Sequence, residues 1–189
     1  MKNLKSIALA LIIALGTLSA TAQTTKKVDV AGSKINWVGK KVTGEHTGTI
    51  NLKEGALVFK GKELVGGNFT ADMNSINTTD LEGKMKANLD GHLKADDFFG
   101  VDHFPTATLV FKSIGKKSKD TYTVTADLTI KGITKPITFD VLVNKNMATS
   151  KLAVDRTKYD IKYGSGSFFE GLGDKTISDN FDLVVNLKF

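Results

Sequence analysis

The stretch from Tyr122 to Val143, YTVTADLTIKGITKPITFDVLV, alternates apolar and polar positions more cleanly than any other part of the chain. Tyr122, Val124, Ala126, Leu128 and Ile130 share one face, and Thr123, Thr125, Asp127, Thr129 and Lys131 the other, which is the period of a strand with one dry side. After a break at Lys131-Gly132-Ile133-Thr134-Lys135-Pro136 the alternation resumes with Ile137, Phe139, Val141 and Val143, so the two halves predict a hairpin. Gly132 gives the turn its freedom. Pro136 has no amide proton for a ladder and is expected at the loop edge, where the second strand begins.

The same period returns along most of the chain. Ser33 to Val42 places Ile35 and Trp37 on one face, and Thr47 to Lys53 does the same with Ile50 and Leu52. Ala56 to Lys60 and Leu64 to Met73 follow, punctuated by Gly55, Gly61 and Gly66-Gly67, which mark hairpin turns or bulges. From Thr106 the strands resume with Ala107, Leu109 and Phe111, then the central hairpin, then Met147 to Asp160. Ser178 to Phe189 closes the series with Phe181, Leu183, Val185, Leu187 and Phe189 on one side. Only between Asn77 and Phe104 does the period change. Thr79-Asp80-Leu81-Glu82 has the form of a capping box, and Leu81, Met85 and Leu89 recur at intervals of four, predicting a short amphipathic helix with a further turn over Leu93 to Phe99. These residues, with Phe98 and Phe99, are read as a plug for one end of the sheet, as a lid, or as ligand contacts. About eight to ten antiparallel strands with one apolar face must stack or close, and closure removes edges that invite aggregation. The expectation is all-β: a closed antiparallel barrel of about eight strands with a short helical insertion.

Composition adds an address and removes several functions. The 189 residues are 41% hydrophobic and 24% charged, which suits one domain with a full-sized core. Lys2 and Lys5 precede an apolar run from Ile7 to Leu15, and Ser19-Ala20-Thr21-Ala22 supplies small residues, so 1–22 is read as a signal peptide cleaved after Ala22. The apolar run is too short to span a bilayer. The expected mature domain is 23–189 and its location the periplasm, as a secreted, soluble protein. Without Lys2 and Lys5 the formal charge falls from +6 to +4, with 24 basic against 20 acidic residues. The lysines are scattered and Arg156 is the single arginine, which excludes a nucleic-acid binder. There is no cysteine, so neither a disulfide nor a lipidated N-terminal Cys contributes.

Chemistry-bearing clusters are sparse. His46, His92 and His103 lie on three segments without ligand spacing, so no metal is expected. Asp96, Asp97 and Asp102 read as caps and solvated charges. Gly164-Ser165-Gly166-Ser167 has no helix pattern after it and reads as a flexible loop. Arg156 stands out because it shares strand parity with Leu152 and Val154, which turns its guanidinium toward the apolar side. It either anchors a ligand head group or forms a structural ion pair with an internal Asp or carbonyls.

Several segments together resemble the YceI-like family of exported bacterial lipid-binding proteins, over essentially the whole mature chain. They are Ser33-Lys34-Ile35-Asn36-Trp37-Val38-Gly39, Leu93-Lys94-Ala95-Asp96-Asp97-Phe98-Phe99 with His103-Phe104-Pro105, the run Leu128 to Pro136, and Arg156. The resemblance implies a lipocalin-like barrel around a long apolar tunnel for a polyisoprenoid chain, such as an isoprenoid quinone or a polyprenyl phosphate. The chain departs at Tyr159-Asp160-Ile161, where the family more often has an aromatic followed by Gly. The residues expected to meet the ligand are Trp37, Leu81, Met85, Leu89, Phe98, Phe99, Leu109, Phe111, Leu128, Ile130, Phe139, Val141 and Arg156.

The expected function is therefore a periplasmic carrier that binds an isoprenoid lipid, with no other cofactor and no catalysis. Transient membrane contact and a homodimer are both compatible with it. Two other classes stand beside it: a periplasmic enzyme acting on a lipid, and an outer-membrane barrel ending on Phe189. A single Trp and three Tyr are too few for two aromatic girdles, which weighs against the last. The interior residues could equally form a filled core.

Overall fold

The computed structural model describes residues 22–189; the export segment read from 1–22 falls on residues outside these, apart from Ala22. The chain forms β1 (Gln23–Lys27), β2 (Asp29–Lys41), β3 (Gly44–Lys60), β4 (Glu63–Thr78), α1 (Gly83–Lys94), β5 (Thr106–Lys116), β6 (Thr121–Ile130), β7 (Ile133–Asn144), β8 (Met147–Asp155) and β9 (Ile177–Lys188). Hydrogen bonding runs in the order β3-β2-β9-β8-β7-β6-β5-β4, and β4 pairs back onto β3, which closes eight antiparallel strands into a barrel. β1 lies against Ala56–Lys60 of β3, on the edge that β2 has left.

Side-chain alternation fixes inside and outside. Along β6 every second residue is buried, from Tyr122 to Ile130, while Thr123, Thr125, Asp127 and Thr129 face out. A barrel that is apolar within and polar without is the reverse of a membrane-spanning one. β3 runs unbroken over seventeen residues, and a bulge between Leu52 and Glu54 shifts its phase so that Leu52 before it and Leu57 after it both face inward; segments that read as two strands are one.

The central hairpin is tighter than its sequence suggests. Lys131 and Gly132, at φ of 50° and 73°, form a two-residue turn, and Ile130 pairs directly with Ile133. This double left-handed geometry matches the twist of the flanking strands. Pro136 therefore sits inside β7, opposite Asp127, rather than at its start. It is tolerated because alternate pairs of an antiparallel ladder point their amides away from the partner, and on that far side β8 pairs only with Val141–Asn144 of β7.

The helix also differs from its expectation. It begins at Gly83, with Glu82 as an N-cap that makes no side-chain hydrogen bond. The apparent capping box is spent elsewhere: the Thr79 amide and hydroxyl donate to the Thr47 carbonyl at 2.9 and 3.2 Å, and Asp80 beside it accepts from the Thr47 amide at 3.0 Å and lies 2.9 Å from His46 Nδ1. β8 stops at Asp155, and Arg156–Tyr159 form a 3-10 turn. Asp160 ends that turn at φ 60°, a left-handed position that favours Gly but admits Asp.

Gly48 makes one close approach possible. A Cβ there would stand 2.1 Å from the Asn77 carbonyl oxygen and 2.4 Å from the Trp37 ring. Gly48→Ala should lower stability by about 1 to 3 kcal/mol and shift the emission of Trp37, read by denaturant unfolding. Unchanged unfolding would mean that the indole does not rest on this glycine.

Candidate functional site

The inward faces do not fill the barrel. A cavity of about 130 Å³ runs along its axis, walled by Ile35, Leu52, Leu57, Phe69, Leu109, Leu128, Ile130, Phe139, Val141, Leu152, Val185 and Leu187, among others. Its few polar neighbours are Thr108, Thr149 and Ser150. A second chamber of about 60 Å³ lies at the helix end, walled by Trp37, Ile76, Leu93, Phe98, Arg156, Ile177 and Ser178. Ile50, Phe99 and Phe181 line both spaces and partition them. At about 24 cal/mol per Å³, the larger void costs the fold roughly 3 kcal/mol. A native core rarely keeps a void of that size, because interiors are otherwise close-packed.

The residues expected to meet a ligand divide into groups. Phe99, Leu109, Leu128, Ile130, Phe139 and Val141 line the larger cavity, and Trp37, Phe98, Phe99 and Arg156 line the smaller. Phe111 packs behind that wall, with its ring 5.5 Å from Phe69 and 6.1 Å from Phe139. Leu81, Met85 and Leu89 reach neither space. Met85 is 67% exposed, whereas Leu89 is half-buried against the core and Leu93 is the buried residue of α1. Ile50, Phe69, Met73 and Leu152 are wall residues that were not singled out. So are Phe181, Leu183, Val185 and Leu187, although the alternation of β9 had already placed these four together.

The loop after α1 turns back on itself and aims two rings at the barrel mouth. Gly100, at φ 55°, donates to the Ala95 carbonyl at 2.8 Å, and Phe99 donates to Leu93 at 3.2 Å. Phe98 and Phe99 are thereby buried, 5.3 Å apart, with Phe99 edge-on to Phe181 at 6.2 Å. Helix α1 contributes the His92 ring, which stands against Phe98 at 5.4 Å and Tyr163 at 4.4 Å.

Arg156 is 2% exposed and forms the floor of this chamber. Its guanidinium donates to three backbone carbonyls: Ser178 at 2.9 Å, Ile161 at 2.8 Å and Ile177 at 3.1 Å. Asp179 lies 3.8 Å away, and the Phe98 ring centroid 5.7 Å. Burial pushes the guanidinium below its very high ordinary pKa, and Asp179 and Asp155 oppose the drop. Asp179 in turn is held below the usual carboxylate range by the Ser165 and Ser167 hydroxyls and by Arg156. The chamber's other cation, Lys40, is paired with Asp182 at 2.6 Å. Nearby, Trp37 Nε1, Thr78 Oγ1 and His92 Nε2 are buried without a hydrogen-bond partner. Trp37 and Thr78 flank Gly48 on neighbouring strands.

No group of three or more His, Asp or Glu side chains gathers into a metal-binding cluster among the described residues. His46, His92 and His103 each lie near a different aspartate. What the site offers is volume with apolar walls, and at one end a few polar groups whose charges are already balanced.

Comparison with known proteins agrees with this geometry. The barrel is similar to BcnA of Burkholderia cenocepacia, with TM-score 0.64 and 24% identity, covering 85% of this chain and 98% of that one. It is also similar to a polyisoprenoid binding domain from Saccharophagus degradans implicated in plant cell wall breakdown, with TM-score 0.58 and 16% identity, over 86% and 97% of the two chains. Among curated sequences, a UPF0312 protein of Yersinia enterocolitica is 33% identical over 95 residues, 49% of this chain and 46% of its own. A UPF0312 protein of Staphylococcus aureus is 51% identical over 55 residues, 29% of each chain. The match thus spans less than half the length of these curated relatives. The model of the YceI-like domain matches residues 27–189, and the chain belongs to the YceI-like family.

Proposed function

We propose that this protein binds an isoprenoid lipid inside its barrel and carries or stores it in the periplasm, without chemical turnover. The observation that carries this reading is the apolar cavity of about 130 Å³. Apolar cavities of this size stay dry and take up apolar guests. Each methylene that leaves water contributes roughly 0.8 kcal/mol before ordering costs, and filling the void recovers what the empty barrel gives up. The neighbouring Saccharophagus domain, whose own description is polyisoprenoid binding, supports the same class of guest. The export segment supports the location. No nucleophile, base and oxyanion donors converge on the cavity among the described residues, so the chemistry favours a binder over a lipid-modifying enzyme.

The charge balance of the smaller chamber favours an isoprenoid quinone over a polyprenyl phosphate. Arg156 already gives three of its N–H groups to carbonyls and lies 3.8 Å from Asp179, and Lys40 is paired with Asp182, so a phosphate would meet only cations whose charge is already balanced. An uncharged oxygen head needs only donors, and Trp37 Nε1 is a donor without a partner. Native mass spectrometry of the protein from its own periplasm, followed by extraction, should release a quinone. A folded barrel that carries no lipid would sink the carrier reading, and a released phosphate would overturn the head-group preference.

Phe139→Trp and Val141→Trp should shorten the preferred chain while leaving melting temperature nearly unchanged, because both side chains face the void. If they instead destabilise by about 1 to 3 kcal/mol with selectivity intact, the residues pack one another and the guest lies elsewhere.

Arg156→Met should cost about 3 to 5 kcal/mol of stability, because three carbonyls lose their donor and Asp179 loses its neighbouring cation. Quinone selectivity in the folded fraction should persist; lost binding at unchanged stability would make Arg156 a ligand anchor. The carboxylate of Asp179 adds stability above the unfolded value of 3.8, and that contribution disappears as pH falls through its lowered folded pKa. The stability difference between wild type and Asp179→Asn, followed by thermal unfolding, should accordingly be full near neutrality and close in acid. A difference that is constant with pH would show that Asp179 acts through packing alone.

A further inference from the structure

We propose that the loop from Tyr163 to Thr176 is the surface by which the barrel touches a lipid bilayer, with Phe168 and Phe169 entering the headgroup layer. Three aromatic rings are left outside here: Tyr163 is 48% exposed, Phe168 51% and Phe169 50%. They are not the residue of a loose segment. Ser165, in the middle of a stretch whose sequence reads as flexible, is fully buried. Its carbonyl accepts from the Phe168 amide at 3.2 Å and the Phe169 amide at 3.0 Å. Ser167 is held by Asp179 at 2.5 Å, and Ile177 donates to Gly164 at 2.8 Å. The base of the loop is anchored, and the anchored base holds the two phenylalanines outward.

Its position is the second observation. Ile177, which fastens the loop, and its neighbour Ser178 also wall the smaller chamber, and Arg156 binds both of their carbonyls. An isoprenoid guest, on the reading proposed above, resides in a membrane before it resides in a protein, and this end presents aromatic side chains of the kind that settle at a membrane interface. Lys162 lies over the Phe168 ring at 5.2 Å, where its stem can lie along an inserted aromatic while the charge stays in water. The patch is small for a protein partner. Three half-exposed rings offer roughly 300 Å², against the roughly 800 Å² per side of a stable dimer. Shallow, reversible insertion into a bilayer sets no such minimum area. The loop itself carries Glu170 and Asp174 against Lys175, so the contact is apolar rather than electrostatic, and anionic lipid should not strengthen it.

The test is flotation of the protein, as its own cell makes it, with phosphatidylethanolamine vesicles containing or lacking phosphatidylglycerol. Wild type should float with both, insensitive to salt. Phe168→Ser with Phe169→Ser should lower the bound fraction roughly tenfold and slow quinone uptake from vesicles to match. The affinity for quinone added from ethanol, read by Trp37 emission, should not change. Phe168→Leu with Phe169→Leu should float, and Leu142→Ser, which removes a 45% exposed side chain from the barrel wall, should behave as wild type. Melting temperature controls for folding. Wild type that does not float, a serine variant that floats equally, or binding that appears only with anionic lipid overturns the proposal. Quinone that binds by neither route would defeat the carrier reading while flotation still decides the docking surface.

Discussion

The pairing of β3 with β4 is the contact on which the rest of the molecule depends. It turns an open sheet into a closed one, and closure forces every second side chain on eight strands toward one axis. The pairing is not smooth. Register shifts lie between Thr49 and Asn51, Leu52 and Glu54, and Val58 and Phe59, and where the ladder lapses the Ser75 hydroxyl accepts from the Asn51 amide at 2.7 Å. Bulges of this kind bend long strands enough to close the circle. Once it is closed, the interior volume is set by strand number and tilt rather than by the side chains. Those side chains fall short of filling it, and the shortfall is the apolar cavity.

The unfilled interior explains an odd feature of the burial pattern. Ile35, Ile50, Leu152, Phe181, Leu183 and Val185 all point inward yet are only partly buried, because they border empty space rather than one another. At the end away from α1 and the central hairpin turn the same faces do pack, with Val124 and Ala126 fully enclosed. The barrel is therefore a solid core at one extremity and a hollow wall through its middle. Arg156 ties the far extremity together by gathering β9, the 3-10 turn and the following loop onto a single guanidinium.

Much of this was legible in the sequence because strand period depends on neighbours two apart. The alternation of Tyr122 to Ile130 and of Phe181 to Phe189 places those residues correctly. What depended on distant partners was harder to read. Thr79 and Glu82 have the spacing of a capping box, but Thr79 is bound to the Thr47 carbonyl on another strand, and the helix starts at Gly83 instead. Met85 shares the four-residue spacing of Leu89 and Leu93 yet faces solvent, because the helix packs on the core through its later turns. Pro136 reads as a strand boundary, and nothing local reveals that β8 leaves its far side unpaired. Ser165 reads as loop, because its burial depends on Ile177 and on the neighbouring Asp179. That Arg156 is buried follows from its parity with Val154. That it holds three carbonyls depends on a loop whose path the sequence does not state. Whether the interior is full or empty is a sum over all strands, which no single window contains.

The wall is not equally strong around its circumference. β7 and β8 share only the pairs from Val141–Ser150 to Asn144–Met147, so the edge from Ile133 to Asp140 has free backbone groups over most of its length. Such an edge is a template for intermolecular strand addition. Pro136 lies in the middle of that edge and withholds one of the amides an incoming strand would need. The least-paired stretch of the wall thus carries its own block against strand addition.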